Sequence, residues 1–199
     1  SSTGLTGVIP TWVQEGGHVA WINRMKDPNI REKLLSDIRK ELLEQPPEGI
    51  LMVGFREDHM EEKYLGKTVA EAAIMRNQSP EEAIVEMVIE DDNRIQCIYF
   101  SMSEENIRKK IQIPWVSFCS DAGSYSDISR NFKTHPRAFG SFIRVLGKYA
   151  RDEQLISIQE GIRKLSSLPA TNLGIKDRGF LKEGYYADIV IFDLENVND

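Results

Sequence analysis

The sequence predicts an α/β fold, and three observations carry that expectation. Ile95–Phe100 is a β-branched and aromatic run with the composition of a buried strand. Trp115–Cys119 is a second apolar run, in which Val116, Phe118 and Cys119 suit a strand, and it stops abruptly at Ser120-Asp121. Each run is followed by helical signals: Ser103 ahead of Glu104–Ile111, then Phe139, Phe142, Ile143, Leu146 and Ala150 at helical spacing. Strand, helix, strand, helix is the pattern of two βα units with parallel strands. At 199 residues the chain is long enough for one ordinary domain.

The other elements follow in order. Ser1–Gly17 is rich in Ser, Thr and Gly and reads as a loop. Asp27-Pro28 starts a helix with an apolar stripe of Ile30, Leu34, Leu35, Ile38 and Leu42, and Pro46-Pro47 stops it. Ile50–Phe55 reads as a short strand, and the charged stretch Arg56–Lys67 as irregular. Thr68 with Glu71 and Ser79 with Glu82 are capping boxes, each opening a helix, the first ending near Arg76. Ser157 with Glu160 opens another, which Pro169 ends or bends. Beyond Gly179 a turn at Glu183-Gly184 leads into a strand over Ala187–Phe192. No internal repeat or low-complexity tract is visible.

A net charge of −6, with basic residues interspersed among acids, argues against nucleic acid as a partner. No run of about 18 apolar residues encodes a membrane-spanning helix. The first residues show neither the basic start nor the apolar core of a signal peptide. Cys97 and Cys119 lie in apolar runs and read as buried free thiols, compatible with a reducing compartment, so the cytoplasm is the expected location. Trp12, Trp21 and Trp115 are expected to pack.

Chemistry concentrates in Pro114–Gly140. Asp121 sits where the expected strand gives way to a loop, and in barrels of parallel strands that rim carries catalytic groups. The blander reading is a turn former or helix cap. His135, Pro136 and Arg137 follow, so one segment offers a carboxylate, an imidazole and a guanidinium.

Four stretches resemble the N-acyl-D-amino-acid deacylases (D-aminoacylases) of the amidohydrolase superfamily, and they run in that family's order. They are STGLTGVIPTWVQEGG at Ser2–Gly17, CSDAG at Cys119–Gly123, HPRAFGSFIRVLGKYARD at His135–Asp152 and SSLPATNLGIKDRGFLKEGYYADIVIFD at Ser166–Asp193. The resemblance implies the C-terminal portion of a longer metal-dependent hydrolase built on a (β/α)8 TIM barrel. Residues 1–20 would be a barrel loop, 21–77 a small α/β insertion, 78–178 the last βα units, and 179–199 would supply a strand of a small β-sandwich.

The activity implied is hydrolysis of an N-acyl-D-amino acid to a carboxylate and a D-amino acid by a zinc-activated water. Asp121 matches the family's strand-end Asp, which handles that water's proton and approaches the metal. The remaining zinc ligands are expected in an N-terminal part. Within these residues only His18, His59 and His135 are available, widely separated, so the chain alone is expected to be inactive. Arg137 suits the α-carboxylate of the substrate, or else pairs with Asp127 or Asp121 to order the loop. Ser2 falls in a substrate loop, and His135 orients the loop or a neighbouring group.

Expected partners are the small-molecule substrate, the N-terminal half of the same protein and, through open strand edges, other copies of the chain. Nucleic acid and membranes are not expected. Two other readings are an amidohydrolase acting on cyclic amides, like dihydroorotase or hydantoinase, and a non-catalytic remnant or binding module.

Overall fold

A three-stranded antiparallel sheet organises the first part of the chain. The computed structural model describes residues 2–123 and 135–198. These divide into two units, the first holding residues 2–101 and the second 102–123 and 135–198.

In the first unit the strands are β1 (Ser2–Gly4), β2 (Ile50–Gly54) and β3 (Gln96–Tyr99), with β3 in the centre. Ser2 faces Ile98 across one pairing and Met52 faces Cys97 across the other. Six helices accompany the sheet: α1 (Thr11–Gln14), α2 (His18–Met25), α3 (Arg31–Glu44), α4 (Asp58–Tyr64), α5 (Val69–Arg76) and α6 (Pro80–Asp91). The helices and the sheet together form one apolar cluster that includes Leu5, Met25, Leu34, Ile38, Met52, Met60, Ile84, Met87 and Ile95. Burying such side chains contributes on the order of 1.5–3 kcal/mol each.

Both capping boxes form in full. Thr68 accepts from the Glu71 backbone N–H and the Glu71 carboxylate accepts from Thr68, with the same exchange between Ser79 and Glu82. These bonds hold the carboxyls of Glu71 and Glu82 below the usual range. The stripe Leu34, Ile38 and Leu42 is buried as its spacing predicts. Asp27, however, closes a turn by accepting from the Asn29 N–H at 2.9 Å, and α3 begins only at Arg31.

Several expectations give way here. Ser1–Gly17 is not simply a loop, because β1, a 3-10 turn at Leu5–Val8 and α1 lie within it. Arg56–Lys67 is not irregular: Met60 and Tyr64, one helical turn apart, bury one face of α4 beneath its charged residues. Ile95–Phe100 does form a strand, but both pairings among the described residues are antiparallel, so no parallel βα pair is seen. Apolar composition marks a buried strand and is silent about its neighbours. β3 and α6 pack within the first unit, together with residues 2–77.

Asp91, at the end of α6, is fully buried. Its carboxylate accepts from the backbone N–H groups of Arg56 and Glu57 at 3.0 Å each, and so caps the entry to α4.

The second unit contains α7 (Glu104–Ile111), α8 (Arg137–Arg144), a π-helical continuation of α8 over Val145–Asp152, α9 (Ile158–Leu165) and α10 (Ser167–Asn172). Ser103 caps α7 and Ser157 caps α9 as expected. Pro169 neither ends nor bends α9, since that helix ends at Leu165 with Ser166 as its cap and Pro169 sits in the first turn of α10, where no N–H partner is needed. α7 is fastened to the π-helical segment: Lys148 and Tyr149 donate to Glu104, and Arg108 forks onto Glu153.

Two predicted strands are not formed. In the run Trp115–Cys119 the first residue lies in a turn and 116–119 have no strand partner, Trp115 is 75% exposed and Cys119 is exposed. Residues 187–192 are likewise unpaired, with Ile191 94% exposed. A strand needs a neighbour to satisfy its backbone, and the second unit offers no sheet among its described residues. The expected turn at Glu183-Gly184 is present, with Gly184 at φ 81°. No described helix is long and apolar enough to cross a membrane.

Asp91→Ala leaves two backbone donors without their acceptor. It should cost about 2–4 kcal/mol, against about 1 kcal/mol for Ser79→Ala, which removes only an exposed-end cap. Urea unfolding of the two variants measures both values.

Candidate active site

The candidate residues of the second unit lie at the joins between α7, the loop 113–123 and the start of α8. α7 ends at Ile111, and the chain then makes a turn over Ile113–Val116, closed by a bond from the Val116 N–H to the Ile113 carbonyl at 3.2 Å. Pro114 at its second position supplies the φ such a turn requires. The turn leads through Phe118 and Cys119 to Asp121, whose backbone is left-handed at φ 49°, a conformation Asp tolerates better than most residues. The Asp121 N–H points at the Cys119 sulfur, 3.4 Å away.

Arg137 is the first residue of α8. Its Nη1 donates to Asp121 Oδ2 at 2.9 Å. The Asp121 side chain is 84% exposed, so this ion pair is worth no more than about 1 kcal/mol and opens readily. Arg137 is thus in contact with Asp121, one of the two carboxylates considered as its loop partners. Asp127 lies outside the described residues.

His135 accepts the Arg137 backbone N–H on Nδ1 at 3.0 Å, which satisfies a donor at the start of α8 and leaves the proton of the neutral ring on Nε2. Partial burial and the neighbouring guanidinium of Arg137 push its pKa below the ordinary histidine value of 6.5. That bond ties the His135 ring to the start of α8. Ser2 lies on β1 of the first unit, opposite Ile98.

The loop is held from behind by α9. Lys164 is fully buried, and its Nζ donates to the carbonyls of Ile113 and of Val116, the latter at 2.9 Å. Arg163 donates to the Pro114 carbonyl at 2.6 Å. Burial pushes the Lys164 ammonium below its usual range. Nothing in the spacing marks these residues, because Glu160 and Lys164 are four apart and read as an exposed helix pair.

Among the described residues no group of three or more His, Cys, Asp or Glu is placed to hold a metal ion. His18 contacts Asp92 and His59 contacts Glu90, while His135 is committed to a backbone N–H. Catalytic zinc takes about three protein ligands, and Asp121 supplies one carboxylate. The residues present do not by themselves fit zinc. Of the two thiols, Cys97 is buried and pushed up by desolvation, whereas Cys119 is exposed, contrary to expectation.

Residues 116–199 match the model of the amidohydrolase family. The N-acyl-D-glutamate deacylase of Alcaligenes xylosoxydans xylosoxydans is 39% identical over 103 residues, covering 52% of this chain and 20% of that protein. The D-aminoacylase of the same organism is 32% identical over 134 residues, covering 67% of this chain and 26% of its own length.

A crystal structure of N-acyl-D-glutamate deacylase from Bordetella bronchiseptica, complexed with zinc and a phosphonate inhibitor that mimics the tetrahedral intermediate, superposes with a TM-score of 0.60. It is 24% identical and is matched over 87% of this chain and 39% of that one, so the likeness is one of fold. The amidohydrolase likeness therefore spans about a fifth to a quarter of the length of the curated relatives.

His135 should titrate below 6.5 when its ring protons are followed by NMR. Because the unfolded chain binds that proton more tightly, His135 contributes stability that is present above about 6.5 and lost as pH falls through the depressed value. His135→Ala should cost about 1 kcal/mol near neutral pH and abolish this dependence, as urea unfolding across the same pH range would show.

Proposed function

We propose that this chain is the C-terminal part of an N-acyl-D-amino-acid deacylase, an enzyme that hydrolyses a linear amide to a carboxylate and a free D-amino acid. The observation that carries the reading is the 39% identity to a D-glutamate deacylase. Likeness to D-aminoacylase as well favours the linear amide over a cyclic one. On this reading residues 78–178 belong to the closing units of a (β/α)8 barrel and residues 179–199 to an adjoining β-sandwich.

Asp121 takes a proton from the attacking water and returns it to the departing nitrogen, as the new C–O bond forms and the C–N bond breaks. Its exposure leaves it open to substrate, and its weak tie to Arg137 lets it act. Arg137 presents a planar guanidinium to the α-carboxylate once the Asp121 contact opens. Ser2 contributes a further substrate contact. Zinc belongs to the reading through the relative that contains it, with its ligands supplied from beyond the residues described here. The preferred partner is accordingly the remainder of such an enzyme, and copies of the chain without it associate with one another.

The test is complementation. The Alcaligenes N-acyl-D-glutamate deacylase, deleted for the segment this chain matches, is supplied with the chain in trans and assayed on N-acyl-D-glutamate and neutral N-acyl-D-amino acids. Hydrolysis should appear, and Asp121→Asn should lower it by at least about 100-fold. Absence of hydrolysis with well-folded components would overturn the reading. The chain alone with added zinc should give no turnover.

A further inference from the structure

We propose that Lys164 is a positioning residue for Asp121, acting through the turn Ile113–Val116. The proposal rests on the reading of Asp121 as the proton carrier. A lysine buried to 0% exposure on a helix must find acceptors for its ammonium protons, and this one finds them at both ends of a single turn. Ile113 and Val116 are the first and fourth residues of that turn, so the two bonds fix its span. Arg163 adds a third bond at Pro114, and its guanidinium is itself held by both oxygens of Glu160. Three successive constraints from α9 thus set where the chain leaves the turn, five residues before Asp121.

The same helix sets the other side of the site. α9 packs on the π-helical continuation of α8, where Gly161 meets Leu146 and Ala150 so closely that a Cβ there would lie 3.2 Å and 3.7 Å from them. α8 carries Arg137 at its first residue. The carboxylate and the guanidinium that faces it are therefore both referred to one element, and Lys164 is the buried link on the carboxylate side.

The experiment has two arms. In 15N-labelled chain, NMR follows the Asp121 amide and the Arg137 guanidinium signals in wild type, Lys164→Met and Arg163→Gln. Folding is checked by circular dichroism. Lys164→Met should shift and weaken both sets of signals while helix content is retained, and Arg163→Gln should do so to a smaller degree. In the complemented enzyme Lys164→Met should lower kcat about 10- to 100-fold with KM changed by no more than about twofold.

A folded Lys164→Met chain with unaltered Asp121 and Arg137 signals would overturn the proposal. So would an unaltered kcat. If Lys164→Met does not fold, Arg163→Gln decides on the same signals, and no change there overturns it. If the complemented wild type shows no hydrolysis, the deacylase reading fails, and the NMR arm alone decides the role of Lys164.

Discussion

The candidate site depends on how a buried ammonium is satisfied. Among the described residues Lys164 has no carboxylate within hydrogen-bonding distance, and Glu160 lies 3.9 Å away. An unsolvated charge of this kind is tolerable only if neighbouring dipoles take the place of water. The turn Ile113–Val116 supplies those dipoles, so the cost of burying the charge and the cost of ordering the loop are met by the same bonds. Around that contact the second unit is assembled largely through ions: Arg108 on Glu153, Lys148 on Glu104 and Arg151 on the carbonyls of Leu194, Glu195 and Val197.

The two units are stabilised differently. The first has a continuous apolar cluster running from Leu5 to Tyr99. The second buries few large apolar side chains among its described residues, while Phe139, Phe142, Ile143, Phe180, Leu181 and Ile189 remain in contact with water. The stretch that matches the family model lies largely in the second unit, and the continuous apolar cluster lies in the first.

Local features were legible in the sequence where their cause is local. The boxes at Thr68–Glu71 and Ser79–Glu82, the stripe on α3 and the strand β2 depend on spacings of a few residues, and all are present. Pairing was not legible, because it depends on residues far away in the chain. Thus β3 was recognised as a strand but not as the centre of an antiparallel sheet, and Val116–Cys119 and Ala187–Phe192 have strand composition without a strand to join. At the site, Asp121, His135 and Arg137 could be read from the motif that contains them. Lys164 could not, since a lysine four residues after a glutamate reads as solvent-facing, and only the packing of α9 on a turn nearly fifty residues upstream reverses that.

The segment Ile189–Phe192 joins no strand among the described residues, although its side chains are among the least water-loving in the chain. Backbone without a neighbour exchanges hydrogen almost as fast as a free peptide, whereas β3, flanked on both sides, exchanges only when the sheet opens. Protection is therefore graded between the paired strands of the first unit and the unpaired stretch Ile189–Phe192 of the second.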